Sequence, residues 1–319
     1  MVPEKYETIP SKWEGGDKLE KQFDNPELFG FDVPEAGIEI HDVATEHLKD
    51  NVPAIVIPGW SGNPRAYKQT VVGLASHERR VLSVNAPHGV ETSMDVKHPE
   101  HPLAELRKTE AILKTLEKKD IKRADIVAHS EGAIVAALAA ALHPEKFRSL
   151  VLVAPGGFME GDNLESLIKR FLADAVSQLK NQKSYKTETE REKNDKEKNY
   201  KASPQSRGRH DPGPLTVIKV IGSSPVLSFK EVKAIAETNI LELLNKAREA
   251  GVKIAVISSI DDQTFPLKKM HEAINPEPGK ILGVDGVYTA RGTHNEFFLW
   301  PGMYAKLVDQ ALTDLNQKK

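Results

Sequence analysis

The chain of 319 residues contains no cysteine, which excludes disulfide bonds, thiolate metal ligands and a cysteine nucleophile. Its formal net charge at pH 7 is only -2, so the molecule as a whole projects no strong field toward nucleic acid or a charged membrane. No stretch approaches the run of about 18 apolar residues that a membrane-spanning helix needs. We therefore expect neither a nucleic-acid partner nor stable membrane insertion.

The segment Met1–Gly16 lacks the apolar run of a secretory signal peptide, and together with the absence of cysteine this predicts a cytoplasmic protein. The length exceeds that of a typical single core but suits an α/β fold with an insertion. We expect one core that carries one appended piece.

The stretch Ala124–Ala133 has the pattern of an apolar strand that runs into Ser130 and then into an alanine-rich helix. A sharp strand-to-helix turn of this kind exposes a hydroxyl above a sheet and requires small residues two positions before and after it. Ala128 and Gly132 meet that requirement, with alanine in place of the usual first glycine. Ser130 is therefore the candidate nucleophile, and an ordinary helix-capping serine is the alternative.

Apolar strands alternate with amphipathic helices along most of the chain, which predicts a mainly parallel sheet flanked by helices on both faces. The first strand is expected to be antiparallel, and residues 17–36 have no assignment. The sequence predicts strands at Gly37–Thr45, Pro53–Ile57, Arg80–Asn85, the stretch leading to Ser130, Ser149–Ala154, Lys253–Ile257 and Gly286–Ala290. It predicts helices at Pro64–Ala75, Pro102–Lys119, Gly132–Leu142, Ser228–Ala250, Leu267–Ala273 and Met303–Leu315, with Ser228 and Glu231 as a capping box.

Residues 158–228 interrupt this alternation and are predicted to form an inserted helical cap, which leaves 1–157 and 229–319 as the core. Leu164–Leu179 has apolar residues at helical spacing. We expect its apolar face to pack over the mouth of the active site or, as in lipase lids, to meet lipid. Lys180–Asp211 mixes both charge signs, which favours a solvated helix or mobile lid over a nucleic-acid interface.

A serine hydroxyl needs a base to take its proton and a third group to hold that base. Asp262 and His294 each follow a predicted strand, and loops after parallel strands meet at one edge of a sheet. Ser130, Asp262 and His294 are therefore predicted to converge. Asp261 is the alternative acid, because spacing does not separate adjacent carboxylates. The backbone N–H of Glu131, at the start of a helix, would stabilise the oxyanion of a tetrahedral intermediate.

In these motifs the chain resembles the α/β-hydrolase superfamily over nearly all of its length outside the first thirty-odd residues and the insert. The family's order of nucleophile, acid and histidine is matched by Ser130, Asp262 and His294. Some members take the acid from the loop after the preceding core strand, where Glu160 and Asp162 lie.

Two further loops carry the resemblance. The family's oxyanion loop is similar to Pro58–Trp60, with proline in place of the usual histidine, and implies the backbone N–H of Trp60 as the second oxyanion donor. The side chain of Trp60 would either line the acyl pocket or pack under the cap. The loop Pro87–Gly89 is similar to the family's loop after the fourth strand.

The resemblance implies a serine hydrolase that cleaves a small-molecule acyl ester through an acyl-enzyme on Ser130, with no metal and no organic cofactor. A serine nucleophile argues against the family's dehalogenases and epoxide hydrolases. Amidase, thioesterase, peptidase and carbon–carbon hydrolase activities use the same triad and stay open. The hypothesis from another class is a catalytically silent relative that binds a ligand. His98–His101 faintly resembles a metal site, and we interpret it as a solvated connector.

Overall fold

The computed structural model describes residues 16–30, 37–60, 62, 64–85, 98, 100–158, 164–174, 225–277 and 282–317. Within them an eight-stranded sheet has the order β1-β2-β4-β3-β5-β6-β7-β8. The strands are β1 (Glu27–Gly30), β2 (Gly37–Val43), β3 (Ala54–Ile57), β4 (Val81–Asn85), β5 (Ala124–His129), β6 (Phe147–Val153), β7 (Lys253–Ser259) and β8 (Gly286–Ala290). β2 runs antiparallel to β1 and β4, and the pairs from β4 to β8 are parallel.

Helices cover both faces of this sheet. They are α1 (Gly16–Phe23), α2 (Lys68–Ala75), α3 (Leu103–Lys118), α4 (Gly132–Leu142), α5 (residues 164–174), α6 (Pro225–Glu237), α7 (Leu241–Glu249), α8 (Leu267–Ile274), α9 (Glu296–Leu299) and α10 (Pro301–Gln317). One apolar cluster joins the sheet to α3, α4, α6, α7 and α8. A second joins the opposite face to α1, α2 and α10. The predicted mainly parallel sheet between two helical layers is confirmed.

The sequence pattern explains why the central elements lie where they do. Every residue of β3 is buried, as expected for a continuous apolar run covered on both faces. Helix α4 is rich in alanine and almost wholly buried, because small side chains let a helix lie close against a sheet. The antiparallel β2 is also as predicted. Helix α1 and strand β1 occupy part of residues 17–36, and α1 buries Leu19 and Phe23.

The prediction of one helix over Ser228–Ala250 is wrong. The structure has two helices here, α6 and α7, and Ser228 lies inside α6 instead of capping a helix. The helix is interrupted because the backbone N–H of Ile240 donates to the carbonyl oxygen of Gly157 at 2.9 Å instead of to a carbonyl oxygen one turn earlier. The side chain of Ile240 is fully buried. The side chain of Asn239 accepts the backbone N–H of Leu241 at 3.0 Å and so begins α7.

Helix α5 is the longest described part of the predicted cap, in which residues 158 and 225–228 are also described. Leu167 on this helix is buried, whereas Ile168 and Leu172 are exposed. The remainder of the predicted helix to Leu179 and the segment Lys180–Asp211 lie outside the described residues, and the bounds of the cap stay a prediction. Helix α6 runs across the predicted boundary at residue 228. None of the described helices combines the length and the apolar character needed to cross a membrane.

Candidate active site

Ser130 lies at the turn between β5 and α4 with a backbone φ of 54°, a left-handed conformation that is strained for any residue except glycine. The neighbouring backbone leaves no room for side chains. A Cβ on Gly132 would lie 2.7 Å from the carbonyl oxygen of Pro58, and one on Gly59 would lie 2.8 Å from the Cβ of Ser130. Ala128 is buried within β5, so its methyl group is accommodated. The turn is the strained strand-to-helix elbow that the sequence predicts.

Hydrogen bonds hold this turn in place. The backbone N–H of Ser130 donates to the carbonyl oxygen of Val153 at 3.0 Å, and the carbonyl oxygen of Ser130 accepts the N–H groups of Ala133 and Gly156, each at 3.0 Å. The end of β6, the loop that follows it and the first turn of α4 therefore support the serine.

The structure brings Ser130, Asp262 and His294, here called the candidate triad, into one hydrogen-bonded line. The Oγ atom of Ser130 lies 2.8 Å from Nε2 of His294. The Nδ1 atom of His294 lies 2.9 Å from Oδ2 of Asp262. Because the carboxylate accepts a hydrogen bond from Nδ1–H, the ring proton stays on Nδ1 and Nε2 is left free to accept the serine proton. All three residues are buried.

The acid loop after β7 presents Asp262 and turns Asp261 away. The second oxygen of Asp262, Oδ1, accepts the backbone N–H of Phe265 at 2.8 Å, which fixes the carboxylate plane. Asp261 is exposed. The geometry therefore selects Asp262 over Asp261 as the partner of His294, while Glu160 and Asp162 lie outside the described residues.

Two opposing effects act on the imidazole of His294. Burial disfavours the imidazolium and lowers its pKa, but the carboxylates of Asp262 and Asp174 favour it. Their sum raises the pKa of His294 above its ordinary value. A base with this electrostatic support takes a proton more readily in the transition state.

The predicted oxyanion donors, the backbone N–H groups of Trp60 and Glu131, have no hydrogen-bond partner among the described residues. The indole Nε1 of Trp60 donates to Glu231 at 2.9 Å, and its ring meets Phe171 of α5 edge-on at 6.1 Å. Of the two interpretations of this side chain, packing against the segment predicted as a cap agrees with the contact to Phe171 of α5. Pro87–Gly89 lies outside the described residues.

The loop that carries Trp60 is braced by Tyr67, which the sequence did not single out. The phenol oxygen of Tyr67 accepts the backbone N–H of Gly59 at 3.1 Å and lies 2.7 Å from Nδ1 of His129. On its other side, Nε2 of His129 lies 2.9 Å from the carbonyl oxygen of His294. Burial lowers the pKa of His129 to about 3, so this ring is neutral near pH 7. Tyr67, at the end of the 3₁₀ turn Pro64–Tyr67, therefore braces the loop in which position 58 is proline.

A buried charge cluster surrounds the side chain of Glu131, whose backbone N–H is the other predicted oxyanion donor. The Lys108 ammonium group lies 2.6 Å from Oε1 of Glu131. Glu105 nearby is fully buried, and burial followed by the charge of Glu131 raises its pKa to about 8. Glu105 therefore carries a proton at neutral pH. The ammonium group of Lys108 offsets the negative charge of the Glu131 side chain, which lies next to the backbone N–H of Glu131.

Sequence signals existed for some of the residues that were missed. His129 is a polar residue at the end of an otherwise apolar strand. Asp174 falls three residues after Phe171 and seven after Leu167, on the apolar face of α5. No local pattern distinguishes Tyr67, because an aromatic residue at the start of a buried helix is ordinary core.

Glu100 lies 3.6 Å from Nδ1 of His98 and 3.5 Å from Nε2 of His101. In the part of the chain that the structure describes, no group of three or more histidine, aspartate or glutamate side chains is placed to hold a metal ion.

Comparisons with known proteins agree with this architecture. Residues 54–207 match the model of the alpha/beta hydrolase family. A protein of Mycobacterium phage D29 named "Putative non-heme haloperoxidase" is 26% identical over 290 residues, which cover 87% of this chain and 93% of that protein. Two solved structures superpose on 92% of this chain and on the whole of their own. They are a serine hydrolase from Cycloclasticus zankles (TM-score 0.58, 13% identity) and a bromoperoxidase from Bacillus anthracis (TM-score 0.57, 13% identity). At these identities the solved structures show a shared fold.

Proposed function

We propose that this member of the α/β-hydrolase superfamily is a serine hydrolase that cleaves a small-molecule acyl ester through an acyl-enzyme on Ser130. One observation carries the proposal. The Ser130 hydroxyl oxygen lies 2.8 Å from Nε2 of His294, whose Nδ1 lies 2.9 Å from Asp262. Nucleophile, base and orienting acid thus stand in the arrangement that acyl transfer needs.

In the first half-reaction, Oγ of Ser130 attacks the ester carbonyl carbon while Nε2 of His294 takes the hydroxyl proton. The negative charge that develops on the carbonyl oxygen is stabilised by the backbone N–H groups of Trp60 and Glu131. Removing one such donor typically costs about 3 to 4 kcal/mol in the transition state. Collapse of the intermediate breaks the bond to the alcohol, which leaves with the proton from His294.

In the second half-reaction, His294 takes a proton from water, and the resulting hydroxide attacks the acyl group on Ser130. The carboxylic acid is released, and His294 returns its proton to Oγ. Asp262 holds the imidazole in the required tautomer and stabilises its charged form throughout. Each step uses protein groups and water alone, so the proposed reaction needs no metal or organic cofactor.

The proposal is tested with chromogenic p-nitrophenyl esters of short, medium and long acyl chains, with wild type and Ser130→Ala. We expect the variant to lose at least about 10³-fold in kcat/KM. Ser76→Ala, at the C-terminal end of α2, where the hydroxyl donates to the carbonyl oxygen of Gly73 at 2.7 Å, is the matched control and should retain activity. Trapping with a fluorophosphonate, followed by mass spectrometry, should place the adduct on Ser130.

Undiminished hydrolysis by Ser130→Ala would remove Ser130 from the mechanism. If wild type turns over no ester, amide or thioester, the silent ligand-binding alternative is favoured instead. The same panel separates esterase, amidase and thioesterase activities by comparing kcat/KM across leaving groups. Preference for long chains would indicate a lipase-like substrate.

A second candidate is supported by the similarity to the phage haloperoxidase-like protein and to the B. anthracis bromoperoxidase. If hydrogen peroxide replaces water in the second half-reaction, the acyl-enzyme releases a peracid and regenerates the serine. The peracid then transfers an oxygen atom to bromide, yielding hypobromous acid and the carboxylate. Bromination of monochlorodimedone that depends on acetate, peroxide, bromide and Ser130 would support this activity, whereas bromination equal in Ser130→Ala would exclude it.

A further inference from the structure

Asp174, the last described residue of helix α5, meets both loops that supply the acid and the base. Its Oδ1 atom lies 3.2 Å from the backbone nitrogen of Gln263 and 3.4 Å from the backbone nitrogen of His294. Gln263 follows directly after Asp262. One buried carboxylate oxygen therefore joins the acid loop after β7 to the histidine loop after β8.

The same helix contacts the site at two further points. The Arg170 guanidinium Nε donates to the carbonyl oxygen of Thr264 at 2.9 Å, again in the acid loop. Phe171 lies edge-on against Trp60, whose backbone N–H is a candidate oxyanion donor. Helix α5 thus contacts the loops of the acid, the base and the oxyanion donor through Arg170, Phe171 and Asp174, in the last turn that the structure describes.

We infer that Asp174 is a positioning residue for the candidate triad, and that docking of cap helix α5 through Asp174 and Arg170 completes the alignment of Asp262 with His294. The inference rests on the proposed function and deepens it, because it links the cap to the reacting groups. A cap held only by apolar contacts would shield the site without orienting the base.

The charges around His294 give Asp174 a second effect. Two carboxylates act on His294: Asp262, from the loop after β7, and Asp174, from α5. His294 also faces the ring of His129 of β5, 5.1 Å away between centroids, which is neutral. Glu296 of α9 hydrogen bonds to Thr293 next to it. Two carboxylates therefore stabilise the imidazolium that forms during acyl transfer.

Two substitutions separate the effect of the hydrogen bonds of Asp174 from the effect of its charge. Asp174→Asn keeps an oxygen that can accept both hydrogen bonds and removes the charge, whereas Asp174→Ala removes the hydrogen bonds and the charge. We expect Asp174→Asn to lower the pKa of His294 and move the acid limb of the kcat/KM profile to lower pH. We expect Asp174→Ala to lower kcat about 10- to 100-fold, with a smaller change in KM. Glu165→Gln, an exposed carboxylate on the same helix, is the control and should change neither quantity.

Titration of the His294 ring by ¹⁵N NMR provides a readout that needs no substrate. If wild type hydrolyses no acyl compound, the proposed function fails, and a lowered His294 pKa in Asp174→Asn would still support the contact between cap and base. If wild type hydrolyses esters and both Asp174 variants keep its pH profile, kcat and His294 pKa, the inference is wrong while the proposed function stands. Should Asp174→Ala fail to fold, the Asn variant decides alone.

Discussion

The Nε2 atom of His129 lies 2.9 Å from the carbonyl oxygen of His294, which joins the residue before the candidate nucleophile to the candidate base. A carbonyl oxygen can only accept a hydrogen bond, so Nε2 of His129 carries the ring proton and donates it. In the neutral ring Nδ1 then has no proton and accepts a hydrogen bond. The hydroxyl group of Tyr67 therefore donates a hydrogen bond to Nδ1, and its oxygen accepts a hydrogen bond from the backbone N–H of Gly59. The line of hydrogen bonds from Gly59 to His294 has one consistent direction and requires a neutral His129.

Replacing Tyr67 with phenylalanine should break this line at its centre. The backbone N–H of Gly59 and Nδ1 of His129 would both lose their buried partner, at a cost of roughly 1 to 3 kcal/mol for each group. We expect lower stability in urea denaturation and a reduced kcat, because the adjacent Trp60 amide is less firmly held. Tyr288→Phe, which removes from edge strand β8 a hydroxyl that donates to Asp314 of α10 at 2.7 Å, is the control. An unchanged kcat and stability in Tyr67→Phe would contradict the bracing role.

The acid loop offers a direct comparison of neighbouring carboxylates. Asp262→Asn should lower kcat by about 10⁴-fold, because an amide at this position favours the wrong tautomer of His294. Asp261→Asn should stay within a few-fold of wild type, since Asp261 is exposed. Steady-state kinetics at the pH optimum measures both. The reverse order of effects would assign the acid to Asp261.

Gly132 tests how closely the elbow must approach the oxyanion loop. In Gly132→Ala the added Cβ would meet backbone oxygens of Pro58 at 2.7 Å and Ile57 at 2.9 Å, which cannot yield as a flexible side chain can. The elbow must then shift, and a displacement of about 1 Å typically costs about 10²-fold in rate. Gly286→Ala, where the nearest atom lies at 3.4 Å, is the control. Equal kcat/KM in the two variants would show that the close approach is not required.

Glu296 makes the stability of the fold depend on pH. Burial raises its pKa to about 7, so the folded protein keeps a proton that the unfolded chain releases above about pH 4.5. The stability that Glu296 itself contributes is therefore fully present below about pH 4.5 and declines as the pH rises to about 7, by about 3 kcal/mol in total. Glu296→Gln does not titrate, so its advantage in Tm over wild type should be larger at pH 8 than at pH 5.

The comparison at two pH values separates titration from packing in this variant. Glutamine retains an oxygen to accept from Thr293, so any packing effect is common to both pH values. Glu165→Gln provides the exposed control and should show no pH-dependent difference. A difference between Glu296→Gln and wild type that is the same at pH 5 and pH 8 would contradict the raised pKa.

Much of the fold was predictable because the order of apolar and polar residues in a short segment indicates which of its faces are buried. The continuous apolar run of β3 and the alanine-rich α4 each show from their own residues that both faces are covered. The break between α6 and α7 was not predictable, because it depends on a contact between Ile240 and Gly157, which are distant in sequence. Local helix signals continue through that position, and the tertiary contact overrides them.

The layered α/β architecture and the strand ends that carry Ser130, Asp262 and His294 were predictable from local patterns, since strand and helix periodicity are properties of neighbouring residues. The placement of Asp262 instead of Asp261 against His294, and the hydrogen bonds that Tyr67, His129 and Asp174 make around the site, are apparent only in the folded molecule. These features depend on the direction of side chains and on hydrogen bonds between residues far apart in the chain. Such bonds form only when packing brings their partners within about 3 Å.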